Sequence, residues 1–225
     1  MDIINTTTFG AWKAGLKAIT DQGREYLDED DKRSCVELTN FIVTIENPSE
    51  DILKPIEYLN ELNLWVYPPI DELTSVILTK RKIPTIQYTY GSRLFNFQRS
   101  INQIHDYVIP KLKSDPASRR AIAMLYDPTQ DSKLHHKEIP SLIFLFFQIR
   151  DEKLHVTGCV RSNDFFVGWP TNVFQVFKLQ ELVAKELDLK IGSLSTMSNS
   201  AHVYKEYAES IKKLVNDKMP LNSLP

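Results

Sequence analysis

Between positions 161 and 172 the chain reads Arg161-Ser162-Asn163-Asp164-Phe165-Phe166-Val167-Gly168-Trp169-Pro170-Thr171-Asn172. A cation, a hydroxyl, a carboxylate and an amide thus lie together in one short stretch. Arginine and serine side by side suit a phosphate, through a guanidinium fork and a hydroxyl donor. A helix starting at Thr171 would add its positive end. The Asn172 amide has a donor and an acceptor face, which suits the O4/N3 edge of a pyrimidine. The same residues would also make an ordinary capped turn with surface ion pairs. Two cysteines, Cys35 and Cys159, are the chain's only thiols. Cys159 lies two residues before Arg161. On an unbroken strand the two share a face, and a nearby guanidinium favours the thiolate.

The elements around this stretch follow from pattern. Lys153–Arg161 reads as a strand, joined to a Ser141–Arg150 strand by a tight turn at Asp151-Glu152. Thr171–Leu187 reads as an amphipathic helix capped by Thr171. Ile191–Ser198 reads as a further strand and Ala201–Val215 as a last helix. In the first half, Ala11–Tyr26 has helical spacing, Glu37–Glu46 is a strand rich in β-branched residues, and a short helix runs from Ser49 or Glu50 to about Leu62. Pro68-Pro69 introduce a helix at Ile70. Phe97–Leu112 has apolar positions at helical spacing, and Arg119–Tyr126 reads as a strand. The second-half strands read as antiparallel. Together these elements predict an α/β (α+β) fold, a curved mixed sheet covered by helices, and one domain over residues 1–225.

Bulk properties narrow the function. Hydrophobic residues make up 42% and charged residues 25% of the 225 positions, so a packed core is affordable. The net charge of -2 gives no broad field for nucleic acid or membrane, and neither partner is expected. Two cysteines exclude a disulfide scaffold and a cysteine-rich zinc site, and no metal site is expected. No apolar stretch is long enough to span a bilayer, and the N-terminus has no signal-peptide pattern, so the cytoplasm is the expected location.

The 161–172 stretch resembles the thymidylate synthase signature, arginine-serine-x-aspartate followed by glycine-x-proline-x-asparagine. Tyr90-Gly91, Asp115-Pro116-Ala117-Ser118-Arg119-Arg120, Asp188-Leu189 and His202-x-Tyr204 match further segments of that superfamily in the right order. The resemblance implies a mixed sandwich fold and a homodimer packed sheet to sheet. It implies that Arg161 and Ser162 hold the phosphate of a pyrimidine nucleoside monophosphate, with Arg119 and Arg120 donated across the interface. Arg33 matches a further phosphate arginine. Asn172 matches the reader of the pyrimidine edge and favours uracil. Asp164 lies near base and folate, and His202 and Tyr204 contact the sugar. Tyr90 belongs to the substrate pocket. Glu72 is the counterpart of the glutamate that orders water and proton transfers. A glutamate there is also ordinary in a first helical turn.

Two departures bear on chemistry. The family's nucleophile is a cysteine after proline, and here Pro140 is followed by Ser141 and then Leu142. A serine hydroxyl is far less ionised near neutral pH, and no base follows it. Cys159 is therefore an alternative nucleophile, or else a small core residue. The tail Met219–Pro225 does not resemble the segment that closes over folate, and a tryptophan-rich folate wall is not evident. The expected function is one-carbon transfer, as hydroxymethyl or methyl, from 5,10-methylenetetrahydrofolate to C5 of a uridine-type monophosphate. The alternatives are folate-independent pyrimidine chemistry in the same pocket and a non-catalytic nucleotide-binding homologue.

Overall fold

The computed structural model describes residues 1–28, 32–81, 83, 87–135 and 137–216. The Glu29–Asp31 part of the charged run and the tail from 217 lie outside them. In chain order the elements are β1 (Asp2–Asn5), α1 (Thr8–Gln22), β2 (Arg24–Leu27), β3 (Ser34–Ile45), α2 (Lys54–Glu61), α3 (Ile70–Leu78), α4 (Tyr90–Phe95), α5 (Ile109–Ser114), β4 (Ile122–Met124), α6 (Pro128–Asp131), β5 (Leu142–Arg150), β6 (Lys153–Asp164), α7 (Gly168–Glu186), β7 (Lys190–Tyr204) and α8 (Ala208–Asn216). Short 3-10 turns precede α2 and α8.

The strands form one mixed sheet in the order β1-β3-β7-β6-β5-β4, with β2 antiparallel to β3. The β4–β5–β6 part is antiparallel, as alternation and the tight turn predict. That turn places Asp151 and Glu152 at φ 50° and 58°, the left-handed pair a two-residue hairpin needs. β6 and β7 are parallel, against the expectation of antiparallel strands throughout. The reason is α7, a helical crossover that returns the chain to its starting edge.

α7 covers one face of the sheet. Trp169 Nε1 donates to Thr196 Oγ1 at 2.9 Å, and Trp12 Nε1 of α1 donates to the Phe165 carbonyl at 2.9 Å. Phe165 and Trp169 stack at 4.9 Å, and Trp12 and Phe166 at 5.8 Å. These rings are fully buried, and they pin the loop between β6 and α7 with both apolar area and satisfied N–H groups.

Several boundaries differ from the sequence expectation. α1 stops at Gln22, because Gly23 starts a turn into β2. The Phe97–Leu112 helix is instead a wide π turn at Gln103–Val108 followed by α5, because Pro110 has no N–H to continue a regular ladder. The Arg119–Tyr126 strand is regular at Ile122–Met124, with further bonds to β5 at Ala121, Leu125 and Tyr126. Residues 201–204 extend β7 and do not start the last helix, so His202 and Tyr204 are strand residues. α7 starts at Gly168, so Thr171 lies inside its first turn and donates to the Gly168 carbonyl at 3.0 Å. No side chain caps α7; Asp164 instead closes the turn before it, accepting from the N–H groups of Phe166 (3.0 Å) and Val167 (3.2 Å).

One irregularity organises the rest. On β7 burial alternates through Leu194, Thr196 and Ser198, then slips by one residue to Ala201 and Val203. β6 does the same, from Gly158 and Val160 to Asn163. The slip occurs at one level across three strands, bracketed by the pairs Thr39–Ser200 and Phe41–Ser198, and by Val160–Ser198 and Ser162–Ser200. Asn40, at φ 52°, sits at that level on β3, with Asn199 and Arg161 beside it. A stacked bulge of this kind redirects side chains without breaking register.

Candidate functional site

Tyr90 is the hub of the site. It opens α4, and Thr89 caps that helix: Thr89 Oγ1 accepts from Ser92 N at 3.1 Å while Ser92 Oγ accepts from Thr89 N at 3.0 Å. Gly91 explains the tyrosine-glycine pair. A Cβ there would lie 2.1 Å from the Thr79 carbonyl oxygen, so only glycine lets α4 approach the end of α3. Held this way, the Tyr90 hydroxyl lies 2.8 Å from Ser141 Oγ and donates to Asn172 Oδ1 at 3.4 Å. Burial pushes the Tyr90 phenol up, while the Ser141 hydrogen bond, the Leu142 N–H and the Arg161 charge pull it down; the net direction is up. Its neutral form is therefore favoured near pH 7.

Arg161 reaches the same corner from β6. Its Nε donates to the Pro140 carbonyl at 3.1 Å and its Nη2 to the Ile139 carbonyl at 3.0 Å, while its backbone N–H donates to the Ser141 carbonyl at 2.8 Å. The guanidinium thus fixes the approach to Ser141 and keeps an exposed edge. Ser162 follows, half-buried and in register with Ser200.

A second cluster lies at the ends of β6 and β7, where Asp164 pairs in register with His202. Burial pushes the Asp164 carboxyl up, against the Val167 N–H and the charge of His202. Burial pushes His202 down, against Asp164, Glu37 and Asp28. The His202 and Tyr204 rings meet edge to face at 5.2 Å. Tyr204 donates to Asp28 Oδ2 at 3.0 Å, and Arg33 lies over its ring, 3.4 Å from the centroid. Arg33 is also ion-paired with Glu206, so a phosphate there would have to draw it away from that carboxylate.

The other expected residues stand apart from these clusters. Arg119 and Arg120 are exposed, beyond the covered face, and Tyr107 donates to the Arg120 carbonyl at 2.6 Å. Arg119 lines an open hollow with Pro116, Ala117, Ile149, Arg150 and Asp151. Glu72 is exposed in the first turn of α3. That helix is tied to α7 by Gln175 Nε2, which donates to the Leu73 carbonyl at 3.3 Å. Among the described residues no group of histidines, cysteines and carboxylates could hold a metal ion.

Cys159 is 6% exposed. A Cβ on Gly158 would meet Val176 of α7 at 3.6 Å, so Cys159, one residue on, points to the opposite face, between Phe144 and Met197. The alternation that would bring it beside Arg161 meets the stacked bulge at Arg161 itself. Burial alone pushes its thiol up to about 11, and no lowering by the guanidinium enters. The group beside Tyr90 and Asn172 is Ser141.

Reading the sequence left Asn163, Asp28 and Glu206 without roles. Asn163 had little signal, since it stands among the polar residues Arg161, Ser162 and Asp164 and only the fold shows that it is buried. Asp28 and Glu206 carried none, since acids in charged runs are usually solvated.

Comparison with known proteins shows the family. The family model "Thymidylate synthase" matches residues 33–224. A protein from Methanosarcina mazei named "Putative thymidylate synthase" is 37% identical over 91% of this chain and 90% of its own length. One of the same name from Methanococcoides burtonii is 35% identical over 93% and 92%. The solved structure of thermostable thymidylate synthase A from Bacillus subtilis has the same fold, with a TM-score of 0.66, 23% identity, and coverage of 96% of this chain and 86% of that one.

Proposed function

We propose a function that starts from membership: this chain belongs to the thymidylate synthase family and is a transferase of that type. In our reading it moves a one-carbon unit to C5 of a uridine-type nucleoside monophosphate, leaving a hydroxymethyl or a methyl group. The observation that carries this reading is the link from Ser141 through Tyr90 to Asn172. It joins the residue in the nucleophile's place to the residue placed to read the base.

Arg161 and Ser162 hold the phosphate, and Arg119 and Arg120 of the partner subunit complete its charge shell. Asn172 fixes the pyrimidine edge. Ser141 Oγ adds to C6 as its proton leaves to water, and the C5=C6 electron pair moves onto C5 and O4 as an enolate, which makes C5 electron-rich; the Tyr90 hydroxyl, 2.8 Å away, orients the serine oxygen. Asp164, its carboxyl pushed up by burial, can hold a proton near the base. Glu72, on the helix tied to α7, orders water. The exposed apolar residues Leu62, Trp65, Val66 and Ile70 precede Glu72 and fit a flat pterin ring, so they would hold 5,10-methylenetetrahydrofolate. That donor supplies the carbon when bound. A second copy fits the sheet face opposite α7, where Phe144 and Phe146 (ring centroids 5.0 Å apart) and Met197 flank Cys159.

One observation favours a second reading. Among the described residues Ser141 has no strong base hydrogen-bonded to it, only a phenol that burial pushes up. On that ground the pocket would bind the nucleotide and perform folate-free chemistry or none. Mass spectrometry of dUMP and UMP incubated with the protein and methylenetetrahydrofolate tests the choice. The proposal expects a methyl or hydroxymethyl addition on one of them. Unchanged nucleotide with both supports the second reading.

A further inference from the structure

Asn172 is held at both ends. Its Oδ1 accepts from Tyr90, and its Nδ2 donates to Asn163 Oδ1 at 3.3 Å. Asn163 is 1% exposed, and its own Nδ2 donates to Ser198 Oγ at 3.0 Å, also buried. A primary amide has two donor hydrogens and two acceptor lone pairs. The two held ends leave Asn172 with one acceptor and one donor for a ligand, in a set order. Uracil offers N3–H and O4, which match that order; cytosine offers N3 and an amino group, which match the amide turned end over end.

We propose that Asn163 is a positioning residue that fixes the orientation of the Asn172 amide and thereby sets the preference for uracil over cytosine. This rests on the reading of Asn172 as the base reader. Turning the Asn172 amide would set its Nδ2 against the Tyr90 hydroxyl proton and its Oδ1 against Asn163 Oδ1. Both contacts lie in a partly or fully buried place, where unmatched polar groups are costly. Asn163 presents Oδ1 to Asn172 as long as its own Nδ2 donates to Ser198 Oγ, 3.0 Å away. Aspartate at 163 offers only acceptors and holds the same order more strictly.

The test compares wild type with Asn163→Leu and Asn163→Asp by calorimetric titration with uridine and cytidine monophosphates, and by hydrogen exchange at the Asn172 side-chain amide in NMR spectra. The leucine variant is expected to narrow the uridine preference about fivefold, the effect of one lost hydrogen bond, and to speed exchange at that amide. The aspartate variant is expected to keep both as in wild type. Should the leucine variant fail to fold, Asn163→Ser, too short to reach Asn172, takes its place in both measurements. A folded leucine or serine variant with wild-type exchange at Asn172 overturns the positioning role. Faster exchange with no change in base preference overturns the link to selectivity. If wild type binds neither nucleotide, the base reading of Asn172 fails, and the exchange measurement still decides whether Asn163 holds the amide.

Discussion

The Ser141 hydroxyl lies 2.8 Å from the Tyr90 hydroxyl that bonds Asn172, the residue we propose to read the base, yet it is hardly ionised near pH 7, and Tyr90 is a poor acceptor for its proton because burial favours the neutral phenol. A thiol at that place would be a few per cent ionised and intrinsically more nucleophilic. Ser141→Cys is therefore expected to raise C5 proton release more than about tenfold; no gain in a folded variant would mean that position 141 is not beside C6. Cys159→Ser is expected to leave the same rate unchanged, and loss of turnover with intact nucleotide affinity would return the nucleophile to Cys159. His202 gives a pH signature. Its folded pKa lies below the ordinary 6.5 because burial outweighs the neighbouring carboxylates. The unfolded chain then takes up a proton that the folded one refuses, so this contribution to stability is present above pH 6.5 and is lost as pH falls below it. The melting temperature should fall in that range, and His202→Gln should flatten the fall.

The helices and strands show where pattern suffices and where it fails. The Asp151-Glu152 hairpin and the apolar face of α7 were readable because their periods are local. The parallel pairing of β6 and β7 was not, since strand direction follows from the crossover and both strands alternate alike. The stacked bulge at Asn40, Asn199 and Arg161 escaped as well; it depends on three strands slipping together, and no one strand announces it. That slip is why a correct rule of alternation misplaced Cys159. The hairpin supports a stability prediction. Asp151 and Glu152 both pay for left-handed backbone that asparagine and glycine adopt readily, so Asp151→Asn with Glu152→Gly is expected to stabilise the fold by about 0.5–1 kcal/mol. A urea midpoint that moves down would contradict the turn geometry.

At the level of the assembled protein, the site is incomplete in one subunit if Arg119 and Arg120 serve the partner's phosphate. Their exposure, away from Arg161, is what a shared site requires. Their motif was readable in the sequence, but their reach was not, since a second copy supplies the other half. Mixing Arg119→Ala/Arg120→Ala subunits with Asn172→Ala subunits, each inactive alone, is then expected to restore about a quarter of wild-type activity, because half the dimers are mixed and each has one intact site. No recovery after subunit exchange would place the arginines elsewhere. The measurement closest to the central claim is tritium release from dUMP and UMP labelled at C5, with and without methylenetetrahydrofolate. Folate-dependent release from one of them is the predicted result. No release from either nucleotide, with both shown to bind, would contradict one-carbon transfer at C5.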